Sequence, residues 1–152
     1  MAIGRGAGTE IIRSIHLEDL AGSTSRTLIF GEQHHIYTVL SIIVYADTLE
    51  TAGNRIHMYL TGYDSNAGTV GTGEDIRIFL QNMNADQTFV WNDKFSFNGH
   101  QPTDFVGPMD DATKQNAIAD QGGVVQKLMI KGADHANDRF DVMCTYIDQN
   151  NA

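Results

Sequence analysis

Apolar and polar side chains alternate with a period of two residues along most of the chain, which is the pattern of β-strands. The alternation begins at Glu10 and is interrupted by polar, glycine-containing segments that are typical of turns, such as Ala21–Ser25. It predicts about eight strands, over residues 10–17, 27–30, 34–46, 55–63, 75–81, 88–97, 124–131 and 139–148.

The strongest of these predicted strands, His34–Ala46, is apolar on both of its faces. Strict alternation places Ile36, Thr38, Leu40, Ile42 and Val44 on one face and Tyr37, Val39, Ser41, Ile43 and Tyr45 on the other. A strand of an antiparallel sandwich packs one face on the core, so a second sheet, a loop or a neighbouring subunit must cover the other face. We therefore predict a homo-oligomer interface on this strand, with the candidate residues Ile36, Tyr37, Val39, Ile43 and Tyr45.

A single helix is predicted, over Asp110–Gln121. Asp110 or Asp111 can cap its first turn, alanines favour its interior, and two glycines follow its end. Strands do not alternate with long helices elsewhere, which argues against a parallel α/β fold. The predicted fold class is therefore all-β: an antiparallel β-sandwich of about eight strands with one short helix, for which a jelly roll is a candidate topology.

The length of 152 residues is that of one domain. Met1–Thr9 contains three glycines and few apolar side chains, so we expect a flexible N-terminal arm followed by a single β-sandwich domain over residues 10–152. Such an arm can add to the sheet edge of a neighbouring chain and become ordered there. Ile3 and Arg5 are its candidate attachment residues.

Charge and composition exclude several classes of protein. Ten lysines and arginines against nineteen aspartates and glutamates give a net charge of −9, which argues against a protein that binds nucleic acid or an anionic membrane. The longest apolar run, Val39–Ala46, is too short to span a bilayer, and the first residues lack the apolar segment of a secretory signal. A single cysteine excludes an internal disulfide framework. We expect a soluble domain made in a reducing compartment.

No group of side chains has the spacing of a metal site. The six histidines lie apart, and the adjacent pair His34–His35 points to opposite faces of a strand, so their rings cannot converge on one ion. Asp64–Asp75 has the length of a calcium loop, with Asn66 as a further oxygen ligand. However, it carries Thr69 where glycine is required and aspartate where glutamate is needed. We predict no metal and interpret this segment as a surface loop.

No nucleophile with its catalytic partners is found either. Cys144 lies in the middle of a strand among apolar residues, which indicates an inert buried thiol. The pair Asp110–Asp111 is explained by helix capping. Four aromatic residues share one face and indicate a core rather than a stacking surface: Phe89, Trp91, Phe95 and Phe97. We therefore predict a protein that is not an enzyme and holds no cofactor.

Four segments carry a resemblance to a known class of protein. They read Ile-Tyr-Thr-Val-Leu-Ser-Ile-Ile-Val-Tyr, then Arg-Ile-His-Met-Tyr-Leu-Thr, then Phe-Val-Trp-Asn-Asp-Lys-Phe-Ser-Phe, and finally Phe-Asp-Val-Met-Cys-Thr-Tyr-Ile-Asp. In strand order and style this resembles small virion structural proteins of tailed bacteriophages, especially those of marine and cyanobacterial hosts. The resemblance implies a β-sandwich that assembles as a trimer or larger ring, on the capsid or in the neck and tail.

The expected function is that of a non-enzymatic structural subunit of a phage virion, located in the virion after synthesis in the host cytoplasm. Capsid decoration, or cementing of the shell, is the first reading, with the chain itself and a major capsid protein or other virion proteins as partners. A neck or tail component remains an alternative. So does a carbohydrate- or receptor-binding module at a tail tip, using the loops over residues 64–74 and 99–108.

Overall fold

The computed structural model describes residues 9–63, 73–101 and 124–150, and within them the chain forms strands and turns without a helix. The predicted helix Asp110–Gln121 and the arm residues Ile3 and Arg5 lie outside these ranges. The strands are β1 Glu10–Ala21, β2 Ser25–Phe30, β3 His35–Thr48, β4 Arg55–Gly62, β5 Glu74–Asn82, β6 Thr88–Trp91, β7 Phe95–Asn98, β8 His100–Gln101, β9 Val124–Val125, β10 Lys127–Gly132 and β11 Arg139–Asn150.

The strands form two antiparallel sheets. In the first, sheet A, the order is β1-β11-β3-β6, and β7 continues the β6 edge along β3. In the second, sheet B, the order is β2-β10-β4-β5. The short strands β8 and β9 pair with each other. All pairings between the named strands are antiparallel, as the alternating sequence predicts.

One core lies between the two sheets. Sheet A contributes Ile42, Val44, Phe140 and Val142, which are at most 1% exposed, and sheet B contributes a matching set. The inward residues of each strand therefore meet those of the opposite sheet, as in a β-sandwich. The predicted all-β sandwich is confirmed. The sheet B residues of the core are Leu28, Ile29, Ile56, Met58, Phe79, Leu128 and Ile130.

The faces of β3 differ from the prediction because the strand contains a β-bulge. Thr145 of β11 pairs with Ser41, but the next residue, Tyr146, pairs with Val39, so Leu40 has no partner of its own. An unpaired residue puts the alternation of side chains before it out of phase with the alternation after it. Tyr37 and Val39 consequently face the core together with Ile42 and Val44, and are 2% and 0% exposed. The prediction that placed Tyr37 and Val39 opposite Ile42 was wrong.

Strand β5 shows the same effect. The sequence places Ile76, Ile78 and Leu80 on one apolar face, yet a register shift against β4 leaves Ile78 unpaired between Arg77 and Phe79. Phe79 is the residue that enters the core, at 7% exposure, whereas Ile76 is 67% and Leu80 38% exposed. Strict alternation therefore fails on this strand, where Phe79 enters the core and Ile78 packs against it.

The aromatic residues at the β6–β7 edge occupy the inner face, as predicted. Phe97 is buried, and Phe89, Trp91 and Phe95 pack against the core cluster. Both short strands pair with β3, so the residues between them form a break within one edge rather than a connection to another sheet. Phe79 of sheet B lies 5.1 Å from the Phe89 ring and 5.7 Å from the Trp91 ring, which ties the two sheets together at this edge.

Candidate assembly surfaces

The outer face of sheet A carries an apolar row that crosses three neighbouring strands. Met143 of β11 pairs with Ile43 of β3, which pairs in turn with Val90 of β6. Met143 is 38% and Val90 52% exposed, and Ile43 is partly buried between them. A second pair on the same face, Ile12 and Ile147, follows toward the other end of the sheet. We call Ile43, Val90 and Met143 the apolar row.

The five residues predicted as an oligomer interface divide between the two faces of β3. Ile43, in the apolar row, lies on the outer face, and Ile36 and Tyr45 share that face. Tyr37 and Val39 lie in the core, so their side chains are not available to a neighbouring chain. The Tyr37 hydroxyl is instead held inside, where it accepts a hydrogen bond from the backbone N–H of Glu32 at 3.0 Å.

Beyond the apolar row, one end of the outer face of sheet A is acidic. The Tyr45 hydroxyl donates a hydrogen bond to Asp86 at 2.8 Å. That hydrogen bond, followed by partial burial and the negative charges of Asp86, Asp47 and Asp141, raises the pKa of Tyr45 above its ordinary value. Because three carboxylates act on one phenol, the local potential here is negative. We call Asp47, Asp86 and Asp141 the acidic patch.

The outer face of sheet B has the opposite charge. Burial of the imidazole lowers the pKa of His57, and the positive charges of Arg77 of β5, Lys131 of β10 and Arg55 of β4 lower it further. Arg55 is paired with Asp134, at 2.6 Å between Nη2 and Oδ1. Arg77 and Lys131 have no ion pair within the described ranges. The strands β10, β4 and β5 are neighbours in sheet B, and we call their residues Arg55, Arg77, Lys127 and Lys131 the basic face.

A shallow depression of about 240 Å³ opens on the basic face between β4 and β5 and is lined by His57, Tyr59, Asp75 and Arg77. The Asp75 carboxylate accepts a hydrogen bond from the Thr61 hydroxyl at 2.9 Å. The rings of His57 and Tyr59 lie 5.2 Å apart, and the buried His57 Nδ1 atom has no hydrogen-bond partner among the described residues. The depression therefore offers a cation, an imidazole and a phenol in one place.

A polar cluster sits at the far end of the sandwich, where the N-terminal and C-terminal strands meet. The Asp148 carboxylate, 9% exposed, accepts a hydrogen bond from Arg13 Nε at 3.0 Å and contacts His35 Nδ1 at 2.5 Å. The other ring nitrogen of His35 lies 3.2 Å from Glu32 Oε2. This cluster was not predicted, because its members come from three distant parts of the sequence. Its residues are tied to one another, which is the arrangement of a structural ion-pair network.

Among the residues singled out for metal or nucleophilic chemistry, those that the structure describes do not converge on one site. Cys144 is fully buried, and burial raises the pKa of its thiol to about 12. No group of three or more histidine, cysteine, aspartate or glutamate side chains converges on a metal position within residues 9–63, 73–101 and 124–150. Of the calcium-loop candidates, Asp75 lies on β5, while Asp64 and Asn66 lie outside the described ranges. Asp110 and Asp111 also lie outside them.

Sequence reasoning missed the two charged faces. Arg55 and His57 alternate with Ile56 and Met58 on β4, and lysines alternate with apolar residues on β10, so each strand indicates a polar outer side. These basic sides become neighbours because β10 pairs with β4 in the folded chain, and the pattern of either strand alone does not predict this pairing. In the part of the chain that the structure describes, no helix is long and apolar enough to cross a membrane.

No protein-family model matches the chain, and the curated proteins contain no match. Solved structures give weak likenesses. A chain of Bacillus endospore appendages, described as disulfide-linked pili, is 12% identical with a TM-score of 0.45, and the match covers 100% of this chain and 97% of that one. A chain of the infectious bursal disease virus Gx strain is 11% identical with a TM-score of 0.47, and the match covers 95% of this chain but 33% of the viral one.

Proposed function

We propose that this protein is a non-enzymatic structural subunit of a virion that associates with copies of itself. Its specific role in this proposal is to decorate the capsid of a tailed bacteriophage as a homotrimer, with the major capsid protein as its partner. The observation that carries the proposal is the apolar row, because an exposed run of apolar side chains on a folded domain marks a contact surface. Within the described residues, Val90 and Met143 are exposed and Ile43 is partly exposed.

The strand order supports the placement in a virion. With β6 and β7 counted as one edge strand, four strands lie in each sheet, and most successive strands along the chain alternate between the sheets. Strands β1 and β2 start in different sheets, and β10 and β11 return beside them. This order supports a jelly-roll topology, a type of sandwich that is common in viral capsid domains. Because one fold hosts many functions, the order adds to the proposal and does not replace the surface argument.

The first test is the oligomeric state of the full chain. Sedimentation of the purified protein at tens of micromolar should give a trimer or larger species. The isosteric double variant Val90→Thr with Met143→Gln removes apolar surface from the row and should weaken association about tenfold. Ile76→Thr is the matched control, since Ile76 is equally apolar and 67% exposed but lies on sheet B outside the row. A wild-type chain that stays monomeric at this concentration contradicts the proposal.

The N-terminal arm is a second contact element in this proposal. The carbonyl of Thr9, the last residue of the proposed arm, accepts a hydrogen bond from the Asn150 N–H at 2.9 Å, which ties the start of β1 to the end of β11. Deletion of residues 1–8 should leave the melting temperature unchanged and weaken attachment to neighbouring chains, through loss of Ile3 and Arg5. A large fall in the melting temperature would show instead that the arm belongs to the core of the domain.

The competing function is a receptor- or carbohydrate-binding module at a tail tip. The observation that favours it is the depression between β4 and β5, because a phenol, an imidazole and a guanidinium in one shallow site suit a polar ligand. Copy number separates the two functions. A decoration protein is present in many copies on each purified particle, whereas a tail-tip adhesin is present in few.

A further inference from the structure

The two outer faces of the sandwich are complementary in charge, and this complementarity identifies how copies can join. The acidic patch and the apolar row lie on the outer face of sheet A, and the basic face lies on the outer face of sheet B. The two faces point in opposite directions, because the core separates the sheets.

We infer that the basic face of one copy docks on the outer sheet A face of a second copy, with the acidic patch against Arg77 and Lys131 and the apolar row as the contact beside it. This inference rests on the proposed self-association and specifies its geometry. Two different surfaces meet, so the contact is heterologous and each copy has one of each. Because the two contact surfaces point in opposite directions, repetition of this heterologous contact extends as a stack of copies.

The depression on the basic face is where a carboxylate of the second copy would enter. Its guanidinium, at Arg77, has no ion pair within the described ranges, and the Nδ1 atom of His57 is buried without a partner there. An entering carboxylate gives the Arg77 guanidinium an acceptor for its N–H groups. Asp75, the acidic residue of this site, is engaged with Thr61 and leaves the net charge of the face positive.

Apolar side chains on both faces complete the match. On sheet B, Phe30 is 58% exposed, and the Lys127 ammonium lies 5.1 Å from the centre of its ring. Leu80 on the same sheet is 38% exposed and pairs with His57 of β4. On sheet A, Met143 and Val90 offer comparable surface. Charge pairs set the orientation of such a contact, and the buried apolar area supplies its affinity.

Charge reversal tests the geometry directly. In sedimentation experiments on the full chain, Arg77→Glu and Asp47→Lys should each weaken association by about tenfold. The double variant Arg77→Glu with Asp47→Lys should recover most of that loss. In it, the glutamate at position 77 of one copy meets the lysine at position 47 of the next copy, so the two charges attract again. Arg26→Glu is the matched control: Arg26 is also an exposed arginine on an edge strand of sheet B, but it pairs with the inward Ile130.

The outcomes separate this inference from the proposed function. Recovery in the double variant supports the heterologous contact, as does weaker association of the wild type at high salt. If oligomers form and neither charge reversal weakens them, the inference is wrong and the proposed function still stands. The same follows if Arg77 is required for binding of a polyanion such as heparin but is not required for self-association. A wild-type chain that is monomeric at tens of micromolar overturns both.

Discussion

His35 Nδ1 lies 2.5 Å from Asp148 Oδ1, although 113 positions of sequence separate the two residues. Pairing of β3 with β11 brings them together, and Arg13 of β1 adds a second contact to the same carboxylate. One buried acid thus connects three strands of sheet A. The side chain of Asp148 is 9% exposed, so its hydrogen bonds are made in place of contacts with water.

Removal of this carboxylate should destabilise the domain. In Asp148→Ala, Arg13 and the largely buried His35 lose their shared acceptor, and we expect unfolding to become easier by about 1–2 kcal/mol, chiefly because His35 Nδ1 loses its hydrogen-bond partner. Urea denaturation measures this change. Glu18→Gln, which alters an exposed acid on β1, is the control and should shift stability by less than about 0.5 kcal/mol. Equal effects of the two variants would contradict the structural role of Asp148.

A second buried acid, Asp138, should be as important for the turn before β11. It is 0% exposed and accepts hydrogen bonds from the Asn54 amide at 3.1 and 2.9 Å and from the backbone N–H of Glu50 at 2.9 Å. Asp138→Ala should cost about 2–3 kcal/mol, because the backbone N–H of Glu50 and the amide are left without an acceptor. Asn54→Ala alone should cost less. A thermal melt of Asp138→Ala that matches wild type would rule this role out.

The aromatic core should carry much of the stability. Phe140 is 0% exposed, and Phe140→Ala should destabilise the domain by about 3–5 kcal/mol, the range for truncation of a buried aromatic ring. Met143, three positions along the same strand, points outward and is 38% exposed. Met143→Ala should therefore change the unfolding free energy by less than about 1 kcal/mol while weakening self-association. Denaturation and sedimentation of the same two variants separate stability from assembly.

Alkaline pH should weaken the fold through two buried groups. Burial raises the pKa of Cys144 from 9.0 to about 12 and that of Tyr37 from 10.0 to about 12. Both groups then hold their proton in the folded chain at a pH where the unfolded chain loses it. The stability is fully present below about pH 9 and falls as pH rises toward 12. Cys144→Ala should flatten this fall in a series of urea denaturations, and identical pH profiles for the variant and wild type would contradict the effect.

Metal removal should change nothing. Treatment of the full chain with a strong chelator should leave the melting temperature and the oligomeric state as they were. A metal that is bound tightly to the folded state stabilises it by several kcal/mol, so its loss would lower the melting temperature by about 10 °C. A fall of that size would contradict the prediction and direct attention to Asp64, Asn66 and Asp75.

The sequence by itself determined the strands and the inward side of most of them. Phe140, Val142 and Cys144 occupy every second position of β11 and are buried together, since each strand covers the core with every second side chain. The fold class follows from the same local pattern. The alternation failed at Leu40 and Ile78, where a residue without a partner shifts the register of the following residues.

Only the tertiary structure decided which residues of these strands face the core and which face outward. A bulge is a mismatch between two strands, so neither strand encodes it alone, and the two bulges moved Tyr37 and Val39 inward and left Leu80 outside. The separation of charge between the sheets has the same origin. The cations of β4, β5 and β10 are far apart along the chain and form one surface because these strands pair in sheet B. The hydrogen bonds of this pairing join strands that are distant in sequence, so the pattern within one strand does not predict which strand lies beside it.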